Sequence, residues 1–123
     1  MKRKNTDGSP EPNTRERLLE TAIGMFADKG YAGTSVREIV EQAGVSKPVL
    51  YYYFQSKEGL FLAILEMAEK LQTELLARIL ESAGNVLERL LLLYRQIYAG
   101  VAENRNLYKM IHGLTYGPPQ GAP

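Results

Sequence analysis

Apolar residues recur along this chain at spacings of three and four, the period of a helix with one buried face. Leu19, Ala22, Ile23, Phe26 and Ala27 follow that spacing, behind an opening at Asn13-Thr14 where Glu16 stands as a capping-box partner. Gly30 supplies the stop, and Tyr31 to Gly33 make a short connection. Ser35, with Glu38 three residues on, opens a second helix whose apolar side is Val36, Ile39, Val40 and Ala43. Gly44 ends it, Val45 fills the turn, and Ser46 caps a third helix. Ser56 caps a fourth, in which Leu60, Ile64, Ala68, Leu71, Leu75 and Ile79 form one stripe beside Phe61 and Leu65. ESAGN breaks that run, Asn85 with Glu88 starts a fifth helix through Ala102, and Asn104 starts a sixth that Gly113 closes. LTYGPPQGAP at the end reads as turn material. The pattern predicts an all-α fold.

Three adjacent tyrosines test that reading. In SKPVLYYYF, Leu50 and Phe54 are four apart and form the inward pair of the third helix. At roughly 100° per residue, Tyr51 and Tyr53 flank that pair on either side and Tyr52 points almost directly away. A strand would expose Leu50 together with Tyr52, the wrong pattern for a half-buried sheet. Pro48 falls in the first helical turn, where its missing N–H costs nothing. The outward surface is therefore a lysine near the helix start, small apolar groups, and phenol hydroxyls along the rim.

Two short helices joined by Ala43-Gly44-Val45 have the form of a helix-turn-helix, which lays its second helix in the DNA major groove. Lys47 has the chemistry to donate to guanine O6 or N7, and Pro48 and Val49 to touch a thymine methyl. Tyr51, Tyr52 and Tyr53 can donate hydroxyls to phosphates, contacts that position without reading sequence. Thr34 and Ser35 at the start of the second helix, and Lys57 at the start of the fourth, are placed for an anion near helix N-termini. Arg37 is a further candidate contact, with a competing pairing to Glu41 at i+4.

Composition narrows the alternatives. With no cysteine, disulfides and thiolate metal sites are excluded, and a single histidine, His112, excludes a multi-histidine metal site within one chain. No metal or cofactor is expected, and no constellation of catalytic residues is visible. No apolar run approaches the ~20 residues of a membrane span, and MKRKNTDGSPEPN has no apolar stretch behind its basic residues, so it reads as a disordered arm and the chain as cytoplasmic. The net charge is +1, so contact with a polyanion has to be local.

TSVREIVEQAGVSKPVLYYYFQSKEGLFLAIL resembles the DNA-binding signature of the tetracycline-repressor (TetR) family of bacterial transcription regulators. TRERLLETAIGMFADKGYAGTSV is similar to that family's first helix and its Gly-Tyr connection. The resemblance runs from about Thr14 to Leu65 and implies DNA contact for Ser35, Ser46, Lys47, Pro48, Val49, Tyr51, Tyr52, Tyr53 and Lys57. It implies structural roles for Gly30, Gly44, Leu50 and Phe54. Pro48 stands where a small residue is commoner, and Tyr53 where histidine is frequent.

The resemblance further implies a disordered arm over residues 1–13, a DNA-binding helix-turn-helix domain over 14–56, and a connecting helix with a partial regulatory domain over 57–113. A loop over 114–123 completes that division. Function by that analogy is ligand-responsive repression, with a homodimer on a palindromic operator and a small-molecule effector. Tyr94, Tyr98, Tyr108, Met110 and His112 are the candidate ligand-lining residues, though no family motif fixes them. Family chains continue into two further helices that build most of the dimer interface, and this chain is expected to stop before them. The fifth helix, with its LERLLLLYRQIY run, is then expected to expose apolar surface. The competing reading is a helical protein-interaction module using that surface, with no DNA role.

Overall fold

A computed structural model describes residues 13–82 and 84–116, the side chains of 115 and 116 excepted. Residues 1–12 of the expected N-terminal arm and the last seven residues lie outside that range. Among the described residues there are six helices: α1 (Thr14–Lys29), α2 (Val36–Ala43), α3 (Lys47–Phe54), α4 (Lys57–Glu81), α5 (Val86–Glu103) and α6 (Arg105–Tyr116). None is long and apolar enough to cross a membrane.

α1 is the central element, with α2, α4 and α6 all packed on it. It therefore buries more than one stripe: Leu18 and Met25 are inside along with Leu19, Ala22, Ile23 and Phe26. Ile39, Val40 and Ala43 of α2, Leu50 and Phe54 of α3, and Leu60, Phe61 and Ile64 of α4 close the same core. Leu107 and Met110 of α6 join it from the far end of the chain. One buried cluster thus crosses position 56, where the sequence reading drew its division.

Helix starts differ in how they are made. Ser35, Ser56 and Asn85 each accept a side-chain hydrogen bond from the backbone N–H three residues on, at 3.1, 2.9 and 2.9 Å. Asn13 and Ser46 make no such bond, so the expected Asn13–Glu16 box does not form. α6 runs on to Tyr116 instead of closing at Gly113. A glycine ends a helix when the chain turns into positive φ there, and Gly113 stays helical. Gly44 does take the left-handed conformation, φ 71° and ψ 34°, and its N–H returns to the carbonyls of Glu41 and Val40.

The corner between α3 and α4 is tight. Gln55 turns through a positive φ of 71°, and Gly59 lies so close that a Cβ there would run into the Phe54 carbonyl oxygen. The α4 stripe is covered at its ends, by Leu60, Ile64 and Ile79, and open at Leu71 in the middle. α5 buries no residue at all. Its LERLLLLYRQIY run does expose apolar surface, as expected from the sequence.

Candidate nucleic-acid interface

α3 is held by its inward pair and presents everything else. Leu50 is fully buried and Phe54 nearly so, while Tyr51 is 46% and Tyr52 74% exposed. Tyr53 is half-buried and packs on the core, with its ring edge-on to Tyr52 at 5.0 Å and tilted against Phe54 at 6.1 Å. Of the three phenols, Tyr52 stands furthest into solvent, as the helical geometry requires. Arg15 of α1 covers the other face of the pair, its guanidinium carbon 5.3 Å from the centre of the Phe54 ring.

At the head of α3, Ser46, Lys47 and Pro48 are exposed, and Val49 is half-buried against the core. Because the Ser46 hydroxyl makes no cap bond, it is available to an acceptor or donor outside the chain. Ser35 at the head of α2 is exposed but occupied: its Oγ accepts from the Glu38 N–H and donates to Glu38 Oε1, both at 3.1 Å. Glu38 in turn takes a hydrogen bond from Lys29 Nζ, which ties the end of α1 to the start of α2. Those bonds, Lys29 first and Ser35 second, hold the Glu38 carboxyl below its ordinary range. Arg37 Nε donates to Glu41 Oε1 at 3.0 Å, the i+4 pairing the sequence offered. Both groups stay exposed, and such a surface pair is weak enough, at ~0–1 kcal/mol, to be exchanged for another anion.

Lys57 departs from a simple solvent-facing cation. Its Nζ lies 4.0 Å from the centre of the Tyr31 ring, and burial lowers its pKa from the ordinary lysine value. Tyr31 stacks on Phe26 at 5.7 Å and meets Phe61 edge-on at 5.1 Å, so the start of α4 is fixed to α1 through an aromatic cluster. The same burial, with Glu58 adding to it, raises the Tyr31 pKa. Sequence spacing gave no sign of this cluster, because Tyr31 sits in a connection and Phe61 lies off the main α4 stripe.

Thr34 is set apart from the other candidates. Its side chain is buried, and the hydroxyl donates to the carbonyls of Gly30 and Met25 at 2.9 and 3.3 Å. It closes the α1–α2 connection and presents no side-chain group to a ligand, which corrects the expectation for that residue.

The five candidate ligand-lining residues do not converge. Tyr94 and Tyr98 lie on the outward side of α5, stacked on each other at 6.2 Å, and His112 is exposed on α6. The Tyr108 hydroxyl leans against Gly100, and Met110 is buried in the core facing α1. They part because α5 turns its tyrosines away from α4 and α6. A cavity of about 370 Å³ lies instead between the end of α1 and α6, lined by Phe26, Gly30, Phe61, Met110 and Gly113 with Lys29 and Lys109 at its polar side. Lys109 is bonded to Asp28 of α1 at 3.0 Å.

Comparison with known proteins matches this geometry. Residues 18–64 fit the family model described as bacterial regulatory proteins, tetR family. The HTH-type transcriptional regulator YdgC of Bacillus subtilis is 33% identical over 101 residues, 79% of this chain and 52% of that protein. The HTH-type transcriptional repressor NemR of Escherichia coli is 36% identical over 87 residues, 70% of this chain and 44% of that protein. The HTH-type transcriptional activator FasR of Mycolicibacterium smegmatis is 47% identical over 57 residues, 46% of this chain and 26% of that protein. Among solved structures, a Clostridium perfringens protein described as a "putative fatty acid metabolism regulator" superposes with a TM-score of 0.76 at 33% identity, over 83% of this chain and 55% of its own. The chain thus spans about half the length of these relatives, or less. Over residues 18–64 the chain thus matches the tetR family of bacterial regulatory proteins, within an all-helical fold like that of the Clostridium perfringens protein.

Proposed function

We propose that this chain is a sequence-specific DNA-binding transcriptional regulator that reads the major groove with α3. The observation that carries the reading is the split of α3 into a buried pair, Leu50 and Phe54, and an exposed head and rim of Ser46, Lys47, Pro48, Tyr51 and Tyr52. Lys47 donates to a guanine edge, and Pro48 with the outer side of Val49 contacts thymine methyls. Tyr51, Tyr52 and Tyr53 hold phosphates, with Ser35 and Lys57 at two helix starts flanking them. Arg37 adds a phosphate contact by exchanging Glu41.

In its finer form the proposal is a cytoplasmic, effector-responsive repressor acting as a dimer on a palindromic operator. NemR, which matches more of this chain than the activator FasR does, is named a repressor. The family and the relatives are transcriptional regulators, and no catalytic role is proposed. An effector in the α1–α6 cavity would touch the reading unit and α6 together, and its volume falls within the ~300–1,000 Å³ of small-molecule sites. Effector action requires a difference in affinity between the DNA-bound and released states.

Titration of a labelled duplex at rising salt tests the reading. Salt-dependent binding that log–log analysis resolves into several released counterions is the expected result. Absence of duplex binding at low salt would instead favour the protein-interaction reading.

A further inference from the structure

Lys29, Arg37 and Lys109 each lie against a carboxylate, that of Glu38, Glu41 and Asp28 in turn. Lys57 lies against a ring, its Nζ 4.0 Å from the centre of Tyr31. Its pKa agrees with that setting: burial moves it down, where a carboxylate alongside would move it up. The two kinds of partner leave different things free. A carboxylate offsets the charge of an ammonium and occupies its N–H donors, so a phosphate has to displace it. A ring face attracts the cation through its quadrupole and carries no net charge. An ammonium held on a ring therefore keeps its charge, and the donors on its far side, for an anion.

The ring is itself fixed. Tyr31 stacks on Phe26 at 5.7 Å and meets Phe61 edge-on at 5.1 Å, while Phe26 and Phe61 meet edge-on at 5.3 Å. Phe26 and Phe61 are both buried, so two core rings set where the third presents its face. Phe61 follows Lys57 by four residues in α4, one helical turn along the same side. Tyr31 thus grips α4 at two points, through an apolar edge and through a cation. A lysine side chain is long and flexible, and ordering it on a phosphate costs entropy. One already ordered in the free chain avoids much of that cost.

We propose that Tyr31 is a positioning residue for DNA binding: its ring face, fixed by Phe26 and Phe61, holds the Lys57 ammonium at the head of α4 for a backbone phosphate. Tyr31 acts through Lys57 and needs no contact with DNA itself. The role rests on the reading of Lys57 as a phosphate contact in the proposed function.

Two measurements test it, the first without DNA. In NMR spectra of the free chain, the ring current of Tyr31 is expected to shift the Lys57 ε-methylene protons upfield of those of exposed lysines. Tyr31→Phe should keep that shift, and Tyr31→Leu should remove it. The second is titration of a labelled duplex. Tyr31→Leu is expected to weaken binding about 3- to 10-fold, evenly across DNA sequences. It should also flatten the salt slope toward the ~0.9 lost in Lys57→Ala. Tyr31→Phe should bind as the unaltered chain does. In the Lys57→Ala background, Tyr31→Leu should cost no further affinity, whereas damage to the fold would weaken binding in both backgrounds. Equal losses in the two backgrounds would overturn the proposal. So would a Lys57 signal, or a duplex affinity, that Tyr31→Leu leaves unchanged. An unaltered chain that bound no duplex would overturn the proposed function first, and this role with it.

Discussion

Tyr52 stands 74% exposed while Leu50, two positions before it, has no exposed surface. That contrast separates residues that hold α3 from residues proposed to meet DNA, and mutation should separate them too. Tyr52→Phe and Lys57→Ala are each expected to weaken binding evenly across DNA sequences. Lys57→Ala should also flatten the plot of log K against log salt by about 0.9. Lys47→Ala should instead relax preference at particular base pairs, by about 1–3 kcal/mol for the lost contact. If competition with variant duplexes showed Lys47→Ala acting evenly, the docking of α3 would be incorrect. Glu38 gives a pH test. Its carboxyl titrates below the ordinary 4.5 in the folded chain, so its bonds to Lys29 and Ser35 stabilise the fold above that pH and are lost as pH falls through the lower folded value. Thermal melts of Glu38→Gln should therefore lose part of the acid-side decline below about pH 4.5, and a melt profile unchanged by the substitution would contradict the assignment.

Elements depend on a few backbone positions. Gly44→Ala places a Cβ in a left-handed turn and is expected to cost about 1–2 kcal/mol in chemical denaturation. Gly59→Ala drives a Cβ into the Phe54 carbonyl oxygen and should damage the α3–α4 corner, weakening DNA binding along with stability. Leu50→Ala, emptying a fully buried site, should cost about 2–5 kcal/mol. The three-and-four spacing was enough to expect every helix described, because amphipathic periodicity and polar starts at Ser35, Ser56 and Asn85 are local signals. Local signals failed where the outcome depends on neighbours. Leu18 and Met25 lie off the α1 stripe and are buried nonetheless, Met25 on the side of α1 that meets Glu38, Glu41 and Gln42 of α2. Gly113 was read as a stop, yet α6 passes through it at a helix-interior cost of roughly 0.5–1 kcal/mol.

For the whole molecule, the facing of α3 was legible in the sequence and the facing of α5 and α6 was not. α3 could be oriented from Leu50 and Phe54 alone, since two residues one turn apart fix the facing of a two-turn helix. Thr34 escaped that logic: its hydroxyl is drawn inward by two carbonyls contributed by α1 and the turn after it. Tyr94, Tyr98, Tyr108, Met110 and His112 were grouped by residue type, but which way α5 and α6 turn is set by tertiary packing that spacing does not encode. The aromatic cluster of Phe26, Tyr31 and Phe61 fixes the start of α4 to α1, so motion of α4 would reach the reading unit through Lys57 and Tyr31. The central claim is that α3 reads DNA sequence, and the measurement that tests it most directly is selection of duplexes from a random pool by this 123-residue chain. Enrichment of a defined half-site, doubled as a spaced palindrome where the chain is paired, is the predicted result. A pool that emerges from low-salt selection with no enriched sequence would contradict it.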